Sequence, residues 1–119
     1  MNDGFLTTHV LDTARGLPAA GLRISLYALQ NEARAHLATM TTNADGRTES
    51  PILGKEAFDQ GQYELIFHAG PYLATHHHEL SEPLFLDDIP IRFGISDATS
   101  HYHVPLLLSP FGYSTYRGS

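Results

Sequence analysis

The stretch from His101 to Leu108 alternates in side-chain character with a period of two. In an extended strand successive side chains point to opposite faces. Tyr102, Val104, Leu106 and Leu108 therefore share one face, and His101, His103, Pro105 and Leu107 share the other. The first face is suited to a core; the second carries two imidazoles. Ser109-Pro110-Phe111-Gly112 is turn chemistry, and Tyr113 to Tyr116 favours strand again, so a hairpin is predicted. Its apolar face needs a second layer to cover it. The segment Tyr116-Arg117-Gly118-Ser119 is expected to dock against the hairpin rather than fray.

The rest of the chain repeats this period. Phe5 to Asp12 reads as a strand with Thr7, His9 and Leu11 on one face and Thr8, Val10 and Asp12 on the other. Leu22 to Gln30 is the cleanest alternation: Leu22, Ile24, Leu26 and Ala28 against Arg23, Ser25 and Tyr27. Arg34 to Thr42 follows, with Ala35, Leu37, Thr39 and Thr41 opposite His36, Ala38 and Met40. Asn43-Ala44-Asp45-Gly46 is a tight-turn signal, with Gly46 suited to positive φ. Arg47 then opens a short predicted strand towards Ile52. Gln62 to His68 and Pro90 to Ser96 are further strands, Pro90 marking a start or an edge. Pro71 suits a first helical position, so a short helix is predicted over Tyr72 to Leu80. Residues 82–88 are predicted as a loop or partial strand, with Asp87-Asp88 an exposed acidic turn. Many short strands and one short helix point to an all-β sandwich or barrel.

A length of 119 residues fits one domain, residues 1–119, with one core. The hydrophobic fraction of 42% is that of a globular chain rather than a disordered one. A net charge of −6 with seven Lys and Arg argues against nucleic acid as a partner. No apolar run approaches a membrane span, and no signal peptide is expected at Met1 to Leu11. There is no cysteine, which excludes disulfides, thiol chemistry and thiolate zinc sites. Eight histidines are many for this length and are the compositional clue to function.

His101-x-His103 has the spacing that presents two imidazoles to one metal, but a structural zinc site wants four ligands and no other ligand spacing accompanies it. His76-His77-His78 is expected on exposed helix surface, where adjacent residues diverge. His36 and His68 read as ordinary strand residues. Arg47 after the tight turn is either an anion clamp, with a planar fork for carboxylate-like groups, or a solvated turn arginine. Tyr116 is either a hydrogen-bond donor to a ligand or a tyrosine packed on the sheet. These residues alone describe a small acidic β-sandwich with a possible His/Arg/Tyr site.

Tyr102-His103-Val104-Pro105-Leu106-Leu107-Leu108-Ser109-Pro110 and Tyr113-Ser114-Thr115-Tyr116-Arg117-Gly118-Ser119 closely resemble the C-terminal signature of the transthyretin-like 5-hydroxyisourate hydrolases. Leu6-Thr7-Thr8-His9-Val10-Leu11-Asp12 with Arg15-Gly16-Leu17-Pro18-Ala19 resembles that family's N-terminal signature, and Asp45-Gly46-Arg47 fits as a third block. The resemblance implies a two-sheet, transthyretin-like β-sandwich with one short helix. It implies a homotetramer whose sites lie at the dimer–dimer interface. It places catalytic and binding roles on His9, Arg47, His103 and Tyr116, with Ser119 close by. The implied reaction is hydrolysis of 5-hydroxyisourate to 2-oxo-4-hydroxy-4-carboxy-5-ureidoimidazoline in urate degradation, with no metal or organic cofactor, in the cytoplasm. His9 or His103 is the expected base; the residues do not choose between them. The alternatives are a non-catalytic carrier of a small aromatic ligand, as transthyretin is, and a metal-dependent hydrolase.

Overall fold

The computed structural model describes residues 3–118. Eight strands and one helix are formed among them: β1 Phe5–Asp12, β2 Leu17–Pro18, β3 Arg23–Gln30, β4 Ala33–Thr41, β5 Gly61–His68, α1 Ala69–His76, β6 Asp88–Ile95, β7 His101–Ser109 and β8 Gly112–Thr115. They make two four-stranded sheets, ordered β2-β1-β7-β8 and β4-β3-β5-β6. The fold is the all-β, transthyretin-like two-sheet sandwich with one short helix.

The alternation decides what each sheet hides. Tyr102, Val104, Leu106 and Leu108 of β7 are buried, as are Leu6 and Val10 of β1. Ile24 and Leu26 of β3 and Leu65 and Phe67 of β5 meet them from the second sheet in one continuous core. The opposite face of β1 and β7 is left half-buried, and it carries Thr7, His9, His101 and His103.

The core face of β1 is not uniformly apolar, since Thr8 and Asp12 are also buried. Each is satisfied. Thr8 Oγ1 donates to the Val104 carbonyl at 2.7 Å. Asp12 accepts from Tyr72 Oη at 2.8 Å, His77 Nε2 at 2.9 Å and the Arg15 N–H at 3.1 Å. Buried polar groups persist when they are paired in this way.

Four expectations need correction. The helix begins at Ala69, with Pro71 in its third position, and ends at His76 rather than Leu80. The first-turn N–H groups have no intrahelical acceptor, so proline at the third position loses nothing. His76-His77-His78 is not an exposed helical run: the helix stops and His77 turns in to the buried Asp12. Asp87-Asp88 is exposed, as expected, but is not a turn: Asp88 opens β6 and pairs with His68 at 3.0 Å, and the Asp87 carbonyl accepts from Ala69 N. Finally, no strand runs from Arg47 to Ile52. That segment touches β1 only at isolated antiparallel bridges, His9↔Arg47 and Leu6↔Leu53. Six steps of chain span three steps of β1, so the excess, including Pro51, bows outward.

Candidate active site

The bowed segment makes a wall. Thr48, Glu49, Ser50 and Pro51 face Thr7, His101 and His103 across a cleft of about 400 Å³ that Arg47 also lines. A second, wider cleft of about 920 Å³ lies on the other side of the two histidines and is lined by Tyr116, Arg117 and Gly118. His101 and His103 belong to both clefts.

The parallel pairing of β1 with β7 sets this arrangement. Phe5 stands opposite His101, Thr7 opposite His103 and His9 opposite Pro105. Residues paired this way project from the same side of the sheet. Thr7 Oγ1 lies 2.7 Å from His101 Nε2 and 2.8 Å from His103 Nδ1. The His101 ring is stacked on Phe5, with centroids 4.2 Å apart and planes 14° from parallel.

Arg47 reaches the site through the turn before it. Gly46 has φ +74° and passes against the backbone of β1, where a Cβ would collide with the Val10 carbonyl. The Gly46 carbonyl in turn accepts from Val10 N at 2.8 Å. Glycine is required on both counts. Asn43 Oδ1 accepts from the N–H groups of Asp45 and Arg47, at 2.9 and 3.2 Å, which closes the turn.

Tyr116 arrives through a break in the β7–β8 ladder. The register sets Leu106 opposite Thr115 and His103 opposite Gly118, so Tyr116 falls opposite Pro105. Proline has no N–H to give there. Regular pairing stops at Thr115, whose hydroxyl donates to the Pro105 carbonyl at 2.7 Å instead. Tyr116 is 57% exposed. Beyond it the chain re-anchors. The Arg117 guanidinium lies 3.9 Å from the centroid of the Tyr102 ring, and Gly118 N–H donates to the His103 carbonyl at 2.6 Å. The tail is docked, as expected, as far as Gly118. Ser119 lies outside the described residues.

The electrostatics favour neutral imidazoles. Burial and then the Arg47 cation hold His9 below the ordinary histidine value, against a ring hydrogen bond to the Asp45 carbonyl. His103 is lowered by burial first and then by Arg47, His101 and His9, with a hydrogen bond to the Thr7 carbonyl opposing. A neutral imidazole near neutral pH is a competent proton acceptor. The structure thus brings His9, Arg47 and His103 into one electrostatic neighbourhood, with Tyr116 on the far side of His103.

Two features escaped the sequence reading. Strand alternation puts Thr7 on the correct face but does not mark it as part of the site. The wall at 48–51 is strand-like in pattern, although Ser50-Pro51 is a breaker signal that argues otherwise. Among the described residues no three His, Asp or Glu side chains are grouped to hold a metal ion.

The chain is 61% identical over 116 residues to the 5-hydroxyisourate hydrolase of Mesorhizobium japonicum, covering 98% of this chain and 93% of that one. Its fold matches the solved structure of Klebsiella pneumoniae 5-hydroxyisourate hydrolase with a TM-score of 0.78 and 34% identity, over 98% of this chain and 99% of that one. It also matches a solved (S)-allantoin synthase with a TM-score of 0.91 and 50% identity, over 98% of this chain but only 44% of that longer one. The profile of the HIUase/Transthyretin family matches residues 6–118. With that match running from the first buried leucine of β1 to the glycine docked on His103, the chain belongs to the HIUase/Transthyretin family.

Proposed function

We propose that this protein, as one domain, hydrolyses 5-hydroxyisourate to 2-oxo-4-hydroxy-4-carboxy-5-ureidoimidazoline, with His103 as general base. The observation that carries this is the position of His103. It lines both clefts, its Nδ1 is engaged by Thr7, and its Nε2 is left to act on water. His9 lines neither cleft and sits beside Arg47 on the bridge.

Nε2 takes a proton from water as its oxygen attacks the ring carbonyl carbon. The Arg47 fork holds the substrate and stabilises negative charge on the carbonyl oxygen. The ring C–N bond then breaks, the imidazolium returns its proton to the leaving nitrogen, and the product keeps the new carboxylate. Tyr116 orients the ring by hydrogen bonding, and His9 supports Arg47. Charge stabilisation comes from the guanidinium, so the reaction needs no metal. A carrier of an aromatic ligand has no use for two lowered imidazoles beside an arginine, which favours the hydrolase reading.

The same reading includes a homotetramer with the clefts at the dimer–dimer interface. Two features support it: β6 and β8 each end their sheet, and the face bearing the clefts also presents the exposed Tyr116. No helix among the described residues is long and apolar enough to cross a membrane. Cytoplasmic residence belongs to the same proposal.

The test is ultraviolet decay of hydroxyisourate freshly made by urate oxidase. The purified protein should accelerate the decay well above the unaided rate. Decay at the unaided rate, with a folded protein, refutes the hydrolase reading.

A further inference from the structure

Thr7 presents one hydroxyl to two imidazole nitrogens, His101 Nε2 at 2.7 Å and His103 Nδ1 at 2.8 Å. A hydroxyl has one proton to donate. It can satisfy one ring nitrogen as donor, and the other must then bring its own proton to the Thr7 oxygen. The assignment of donor and acceptor is therefore fixed for both rings together.

The Thr7 main chain biases which way it falls, because it favours a proton on the His103 ring, and the ring nitrogen beside the Thr7 hydroxyl is Nδ1. With the Thr7 hydroxyl oxygen accepting that proton, His103 carries N–H on Nδ1 and the hydroxyl turns its own proton to His101 Nε2. The His101 ring is held in place to receive it, stacked on Phe5 with centroids 4.2 Å apart. On the far edge of His103, Gly118 closes against the ring: a Cβ there would lie 2.8 Å from Cδ2. The imidazole is held from both sides, with its remaining nitrogen, Nε2, carrying the lone pair.

We propose that Thr7, braced by His101 on Phe5, is a positioning residue that keeps His103 in the Nδ1–H tautomer and so presents a basic Nε2 to the clefts. The proposal rests on the hydrolase reading for its kinetic consequence, but not for the tautomer itself. The relation is that of any oriented catalytic imidazole: a partner on one nitrogen determines what the other can do. Loss of such a partner leaves the ring in place but partly in the wrong tautomer.

The test has two readouts on the same variants. Thr7→Val keeps the shape and removes the hydroxyl; Thr7→Ser restores it. Thr7→Ala serves if the valine variant does not fold. Long-range proton–nitrogen NMR on ring-labelled histidine reports the His103 tautomer, and steady-state kinetics report turnover. Wild type and Thr7→Ser should show Nδ1–H. Thr7→Val should shift towards Nε2–H and lose about 10-fold or more in kcat, within the span of general-base catalysis, with KM little changed. If either readout stays at the wild-type value in a folded variant lacking the hydroxyl, the assignment is overturned. If wild type shows Nδ1–H but does not open the ring, it is the hydrolase reading that fails, and the tautomer shift still decides the role of Thr7.

Discussion

Gly118 is bonded to His103 through the backbone and packed on its ring at once. Its N–H donates to the His103 carbonyl at 2.6 Å, and a Cβ at its position would lie 2.8 Å from Cδ2 of the same residue. The segment 116–118 is thereby part of the setting of the proposed base. It is not part of the core, since none of residues 116–118 is buried.

Gly118→Ala should therefore lower turnover more than stability. A methyl group at that distance pushes either the ring or the tail out of place. We expect a melting temperature within a few degrees of wild type and a clear loss of kcat. Truncation after Thr115 should behave alike. Equal turnover in all these proteins would reduce the tail to structural trim.

His103→Ala and His9→Ala should each slow the chemical step by about 100-fold or more, as loss of a base or its partner does. The fold, and with it the proposed tetramer, should persist, because neither residue is among the core side chains and alanine adds no bulk on the half-buried face that carries them. Single-turnover kinetics and sedimentation would check the two halves of this statement. Near wild-type turnover in both variants would refute the site.

Arg47 should separate charge from geometry. Arg47→Lys keeps the cation and loses the planar fork, so weaker binding and slower turnover are expected together. Arg47→Gln also removes the charge that lowers both histidines. Without it the imidazoles protonate more easily, and the acid limb of the kcat/KM profile should move to higher pH. In the lysine variant the limb should stay near its wild-type position. A pH profile that is identical in all three proteins would place Arg47 outside the site.

Asp12 makes an acid-side prediction for stability. Burial pushes its carboxyl up, but hydrogen bonds from His77, Tyr72 and Arg15 outweigh this and hold it below the ordinary value. A depressed folded-state carboxylate contributes stability above its unfolded value, about pH 4, and loses it as pH falls through the folded value. Asp12→Asn should flatten the acid side of the stability curve, read by urea unfolding at stepped pH. Tyr72→Phe leaves the buried carboxylate one donor short and should cost roughly 1–3 kcal/mol near neutral pH.

Chelation should leave turnover intact. The mechanism draws its charge stabilisation from Arg47, and both His101 and His103 already commit a ring nitrogen to Thr7. Activity lost to a chelator and restored by zinc would revive the metal reading of His101-x-His103.

Much of this was legible in the sequence because strand periodicity is local. The faces of β3 and β7, the bounds of β1, the edge position of Pro90 and the tight turn at Gly46 follow from side-chain alternation and φ preference at each residue. His9, Arg47, His103 and Tyr116 are picked out by resemblance to the family's signatures; local pattern alone leaves Arg47 and Tyr116 open between a site role and an ordinary surface one. What the tertiary structure decided is which strands lie side by side. Parallel pairing of β1 with β7, from chain segments nearly a hundred residues apart, is what sets Thr7 between two histidines; neither strand alone contains that relation. The bridges His9↔Arg47 and Leu6↔Leu53 on the other edge of β1 leave three steps of β1 for six steps of chain after Arg47, and so turn an expected strand into a cleft wall. Burial of Asp12 then draws His77 off the helix and ends it early, because a carboxylate in a core must find donors wherever the fold brings them.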